Sequence, residues 1–71
     1  MNIEIISIGD EILDGSVQEK NANFLSKELK KFNITPHHIS IVGDNKDNIK
    51  ELLLKAKKRS DIIIISGGLG P

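Results

Sequence analysis

Three isoleucine-rich runs, each stopping on a glycine, constrain this chain more than anything else in it. Ile3, Ile5, Ile6 and Ile8 end at Gly9, "HHISIVG" ends at Gly43, and Ile62 to Ile65 pass through Ser66 into Gly67. Short β-branched runs bounded by glycine read as strands. Between the first two runs, from about Asn21 to Phe32, the residues Ala22, Leu25, Leu29 and Phe32 recur at helical spacing. They form one apolar stripe, with Lys27, Glu28, Lys30 and Lys31 toward water. Asn33 can close this helix, and Pro36 bars its continuation. Between the second and third runs, Ile49, Leu52, Leu53 and Ala56 make a second stripe. Asp44, Asn45 or Asp47 can cap that helix, Asp44 being read as a cap before a ligand contact. Lys55, Lys57, Lys58 and Arg59 read as its solvated, dipole-favoured last turn. The stretch "GDEILDGSVQEKN" after the first strand reads as a polar loop.

The order is therefore β-α-β-α-β. Strands alternating with helices predict an α/β fold with a parallel sheet and right-handed crossovers, here in the order 2-1-3. The glycine-bearing turns at Gly9, Gly43 and Gly67 then share the carboxyl edge of the sheet, where open α/β sheets bind ligands. The third strand is continuously apolar, which predicts burial on both faces. As the edge of a three-stranded sheet it would be left open. The expectation is the leading half of a three-layer, doubly wound domain, incomplete at its C-terminus. Residues 1–71 alone should be a homo-oligomer through that strand, or loosely folded.

Ten basic residues balance ten acidic ones. That argues against a nucleic-acid or anionic-membrane partner, since both call for a basic surplus. Phe24 and Phe32 are the only aromatics, too few for a base-stacking platform. There is no cysteine, hence no disulfide and no thiolate chemistry. No leader is visible and no apolar run approaches the ~20 residues of a membrane span, so a cytoplasmic location is expected.

Asp10, Glu11 and Asp14 put three carboxylates in the loop after the first strand. They could hold a divalent metal or accept ribose hydroxyls, and they could equally make a plain polar surface. Ser66, Gly67, Gly68 and Gly70 form a turn that suits close backbone approach to a phosphate or sugar. It lacks the lysine of a Walker loop and is only the start of a dinucleotide fingerprint. His37 and His38 are adjacent, and on a strand they would point to opposite faces, which disfavours one shared metal.

The ordered set "IISIGDEILDG", "NANFLSKEL", "VGDN" and "RSDIIIISGGLGP" covers the whole chain. It closely resembles the start of the CinA family (competence/damage-inducible protein A), whose N-terminal domain is of the MoaB/MogA-like, molybdopterin-binding type. The resemblance implies a single such domain from residue 1 to 71, continuing past Pro71, with no amidase domain present. It implies ligand contacts at Gly9, Asp10, Glu11, Gly15, Asn21, Gly43, Asp44, Ser66, Gly67, Gly68 and Gly70. It also implies a divalent metal near Asp10 and Glu11, and Glu11 as a catalytic candidate with the main acidic pair beyond Pro71. Glu19 departs from the family's usual asparagine-like residue, and an anion there would repel a nearby phosphate. The implied activity is hydrolysis of the pyrophosphate bond of ADP-ribose-like nucleotides. The alternative is a nucleotide- or pterin-binding module without turnover.

Overall fold

The computed structural model describes residues 1–67. The elements are β1 (Ile3–Ile8), α1 (Asp10–Leu13), α2 (Asn21–Lys30), β2 (His38–Val42), α3 (Lys46–Arg59) and β3 (Ile62–Gly67). All three strands are parallel, as the alternation of strands and helices predicts, and their order is β2-β1-β3, matching the expected 2-1-3. The stretch expected to be loop contains one turn of helix, α1, where Asp10 and Glu11 sit on its positive end.

Residues paired in register on parallel strands share a face. Ile6 lies beside Ser40 and Ile65, and Ile8 beside Val42 and Gly67. On this face Ile6, Ile8 and Ala56 form the core, with Val42, Ile49, Leu52, Leu53 and Ile63 packed around them. The apolar stripe of α3 is thus the one read from spacing. Ile3, Ile5 and Ser7 point to the opposite face, over which α2 lies with Ala22 buried. Helices on opposite faces are what same-handed crossovers give in this strand order.

Every residue of β1 is buried, including Glu4. Glu4 accepts from Arg59 Nε at 3.0 Å and Nη2 at 2.6 Å, and from Ser60 Oγ at 2.8 Å. Arg59 is therefore not part of a solvated basic tail. It leaves the run Lys55, Lys57, Lys58 to satisfy a buried carboxylate, as burial of a charge requires.

Other expectations change in detail. Phe32 lies beyond the end of α2 and is 74% exposed, because the chain has already turned at Lys31. Asn33, with a φ of 60°, takes the left-handed turn that follows. Ile39 and Ile41 do share a face, yet are 50% and 42% exposed, since β2 is an edge strand. Asn45, not Asp44, caps α3, and its side chain accepts from the Asn48 N–H at 3.0 Å. His37 precedes β2, and its ring meets that of His38 edge-to-face at 4.4 Å instead of pointing to the other face. Among the described residues the third strand pairs on one side only, as expected for residues 1–71 alone, and Ile62 and Ile65 stay 41% and 50% exposed. Among these residues β1 is the strand buried throughout. Among the described residues no helix is long and apolar enough to cross a membrane.

Candidate functional site at the carboxyl edge of the sheet

The turns after β1 and β2 are tied to each other at the carboxyl edge. Gly9 donates its N–H to the Val42 carbonyl at 3.0 Å. Asp10 reaches across from α1 and accepts the Asp44 N–H at 2.8 Å through Oδ1. That reach depends on Gly43, where a Cβ would sit 2.7 Å from the same oxygen. Gly43 and the Asp44 backbone thus hold the first loop against the second.

The three carboxylates of that first loop do not converge. Asp10 binds the second turn. Glu11 folds back over Gly9, where an added Cβ would meet its Oε1 at 2.8 Å. Asp14 closes its own turn around Gly15, accepting Ser16 N at 2.8 Å and Ser16 Oγ at 2.6 Å. Those bonds, the hydroxyl first, hold the Asp14 carboxyl below its usual range. Among the described residues no three His, Cys, Asp or Glu side chains gather as a metal site.

The third turn is linked to α2. Asn21, the first residue of α2, donates its side-chain N–H to Ser66 Oγ at 2.8 Å. Ser66 leads into Gly67, whose φ of 86° lies in the left-handed region. A Cβ on Gly67 would run into the Ile8 carbonyl oxygen, so only glycine lets β3 leave the sheet this close to β1. Glu19 caps α2 from outside, accepting the Ala22 N–H at 2.7 Å. The anion feared as a repulsive departure is thus engaged with the helix N-terminus.

Ser7 belongs to this neighbourhood and was not singled out from sequence. It pairs in register with Ser66, is fully buried, and its Oγ has no hydrogen-bond partner among the described residues. Its signal is a polar residue inside an isoleucine run. Gly68 and Gly70 lie outside the described residues. A groove of about 310 Å³ runs along β2 and α3, lined by Ser40, Val42, Asn48, Glu51 and Lys55. It is on the α3 side, away from Asn21 and Ser66.

Residues 4–71 match the family described as "Probable molybdopterin binding domain". The chain belongs to this molybdopterin-binding domain family. Within it, the whole chain is similar to proteins named as competence-damage inducible. It is 52% identical to one from Clostridium tetani over all 71 residues, which are 17% of that protein. One from Listeria monocytogenes is 48% identical over 68 residues, or 16% of its length. The chain therefore spans a small part of these relatives. A crystal structure of the protein CinA from Thermoplasma acidophilum, titled as of unknown function, superposes with a TM-score of 0.89 at 34% identity. That match covers 99% of this chain and 41% of the other. The CinA resemblance read from the loops and the β2-β1-β3 sheet both stand.

Proposed function

We propose that this chain forms the ligand-facing leading part of a CinA-type domain that hydrolyses the pyrophosphate bond of ADP-ribose-like nucleotides. The observation that supports it is the meeting of three glycine-bearing turns, at Gly9, Gly43 and Gly67, on the carboxyl edge of one parallel sheet. That edge is where open α/β sheets place ligands. Backbone groups of the Gly67 turn would approach the phosphates, and the β1 and β2 turns would flank the nucleoside. When bound, a divalent cation supplies charge neutralisation at phosphate oxygens and an activated water. Glu11 and the second oxygen of Asp10 are the donors this chain offers it. Among the described residues these two donors do not complete a site.

A second reading is a nucleotide- or pterin-binding module without turnover. It is favoured by the family's description. One experiment separates the two. The full chain of the protein is incubated with ADP-ribose and Mg²⁺, following AMP release, with calorimetry alongside. Turnover that falls at least tenfold in Glu11→Gln supports the enzyme. Binding without AMP release supports the module. No binding of ADP-ribose or a pterin removes both.

A further inference from the structure

We infer that the open edge of β2 is a dimer interface, on which a second copy of this chain pairs antiparallel through its own β2, about a two-fold axis at Ser40. The backbone of the strand is poised for it. Val42 accepts the Gly9 N–H with its carbonyl, so Val42, Ser40 and His38 turn their backbone groups toward β1. Backbone groups alternate along a strand, so Ile39 and Ile41 turn theirs to the open edge. The side chains of these two residues lie on the α2 side of the sheet and are exposed. Edge strands that stay single are blunted by a charge, a proline or a bulge. His38–Val42 holds no lysine, arginine, acid or proline, and its register with β1 is unbroken.

With Ser40 on the axis, every outward backbone group of the strand finds a partner. Ile39 of one copy stands opposite Ile41 of the other, and each such pair exchanges two backbone hydrogen bonds. The isoleucines then cover one another on the α2 side. Ser40 faces its own counterpart between the two pairs.

The α3 side selects the same axis. The groove there lies between Ser40–Val42 and the α3 residues Asn48, Glu51, Leu52 and Lys55. Its middle is Ile41 on the strand and Glu51 and Leu52 on the helix. α3 runs back down the sheet, and one strand residue rises about 3.3 Å against about 1.5 Å for a helical one. Ser40 is therefore about level with Leu53, midway between Glu51 and Lys55. These two form an exposed ion pair at 3.3 Å within one copy. Rotation about Ser40 sets Glu51 of each copy across from Lys55 of the other, so opposite charges meet and the four make one network. An isolated surface pair contributes little. The network fixes the register, and the isoleucines supply the buried apolar area. A two-fold contact closes on itself, so β2 gives a dimer, and growth of residues 1–71 beyond a pair falls to β3.

The test uses the full chain, so that the exposed β3 of residues 1–71 adds no association of its own. Sedimentation velocity should show a dimer. Glu51→Lys, which sets like charges across the axis, should weaken it at least about tenfold, and the double variant Glu51→Lys, Lys55→Glu should return it to within about threefold of wild type. Ile39→Lys should leave a monomer. In a cysteine-free background, Ser40→Cys should form a disulfide between copies on mild oxidation, because residues facing each other in this way have Cα atoms about 4.5 Å apart. A wild-type monomer overturns the inference, and protected Ile39 and Ile41 amides in that monomer assign the edge to another part of the same chain. A dimer indifferent to Glu51→Lys and Ile39→Lys, with no Ser40→Cys cross-link, has its contact elsewhere and overturns the inference too. If Ile39→Lys does not fold, the charge swap and the cross-link decide. A dimer lost in Glu51→Lys and not regained in the double variant overturns the axis at Ser40.

Discussion

Glu4 carries a carboxylate into the middle of the sheet. The hydrogen bond from Arg59 holds it below the usual glutamate range, with help from Ser60 and against the effect of burial. Its folded value is depressed, so its stabilisation is complete above the ordinary glutamate value. It is lost as pH falls through the lowered one. Thermal melts should therefore show a midpoint that is flat near neutrality and declines below about pH 4. Glu4→Gln, which keeps the shape and loses the titration, should flatten that acid limb. An unchanged limb would assign the acid sensitivity to other carboxylates. At Gly67 the constraint is steric and conformational together. Gly67→Ala should cost more than about 1 kcal/mol. Chemical denaturation against wild type measures it, and a smaller loss would mean that the turn can relax away from Ile8.

At the scale of elements, each helix contributes something different. α3 carries the core stripe, with Ala56 fully buried against Ile6 and Ile8. Ile6→Ala should cost about 2–5 kcal/mol, comparable to the whole stability of so small a core. Circular dichroism would show most of the cooperative transition gone. The start of α3 offers a finer comparison. Asn45→Ala should cost about 1 kcal/mol, because its side chain caps the Asn48 N–H. Asp44→Ala should stay within about 0.5 kcal/mol, because Asp44 takes part through its backbone N–H. The reverse ranking would mean that the cap has moved by one residue. α2 contributes less to the core but carries Asn21 to the end of β3.

For the whole molecule, the open edges decide behaviour. Among the described residues β2 and β3 each pair on one side only. Ile39, Ile41, Ile62 and Ile65 are all more than two-fifths exposed. Burying one such side chain is worth about 1.5–3 kcal/mol. An apolar open edge is also a template for another strand. We expect residues 1–71 alone to self-associate as concentration rises. Ile65→Lys should suppress that without altering the circular dichroism. Sedimentation velocity would settle it, and a concentration-independent monomer with fully protected β3 amides would overturn it.

The sequence by itself determined the alternation of strands and helices, the parallel order β2-β1-β3 and the family. The alternation follows from local periodicity, such as the stripe Ile49, Leu52, Leu53, Ala56, the family from motifs contiguous in the chain, and the strand order from right-handed crossovers that put the two helices on opposite faces. Only the tertiary structure decided which groups meet. Glu4 and Arg59 are 55 residues apart and touch only because α3 ends beneath β1. Asn21 and Ser66, 45 apart, meet because α2 starts where β3 stops. Asp10 lies 34 residues from the backbone N–H it accepts. Spacing cannot show such pairs, because a hydrogen bond a few ångströms long is set by the packing of elements and not by distance along the chain. The same limit explains why three neighbouring carboxylates read as one cluster. In the fold, Asp10 and Asp14 each answer a different nearby donor, and Glu11 folds back over Gly9.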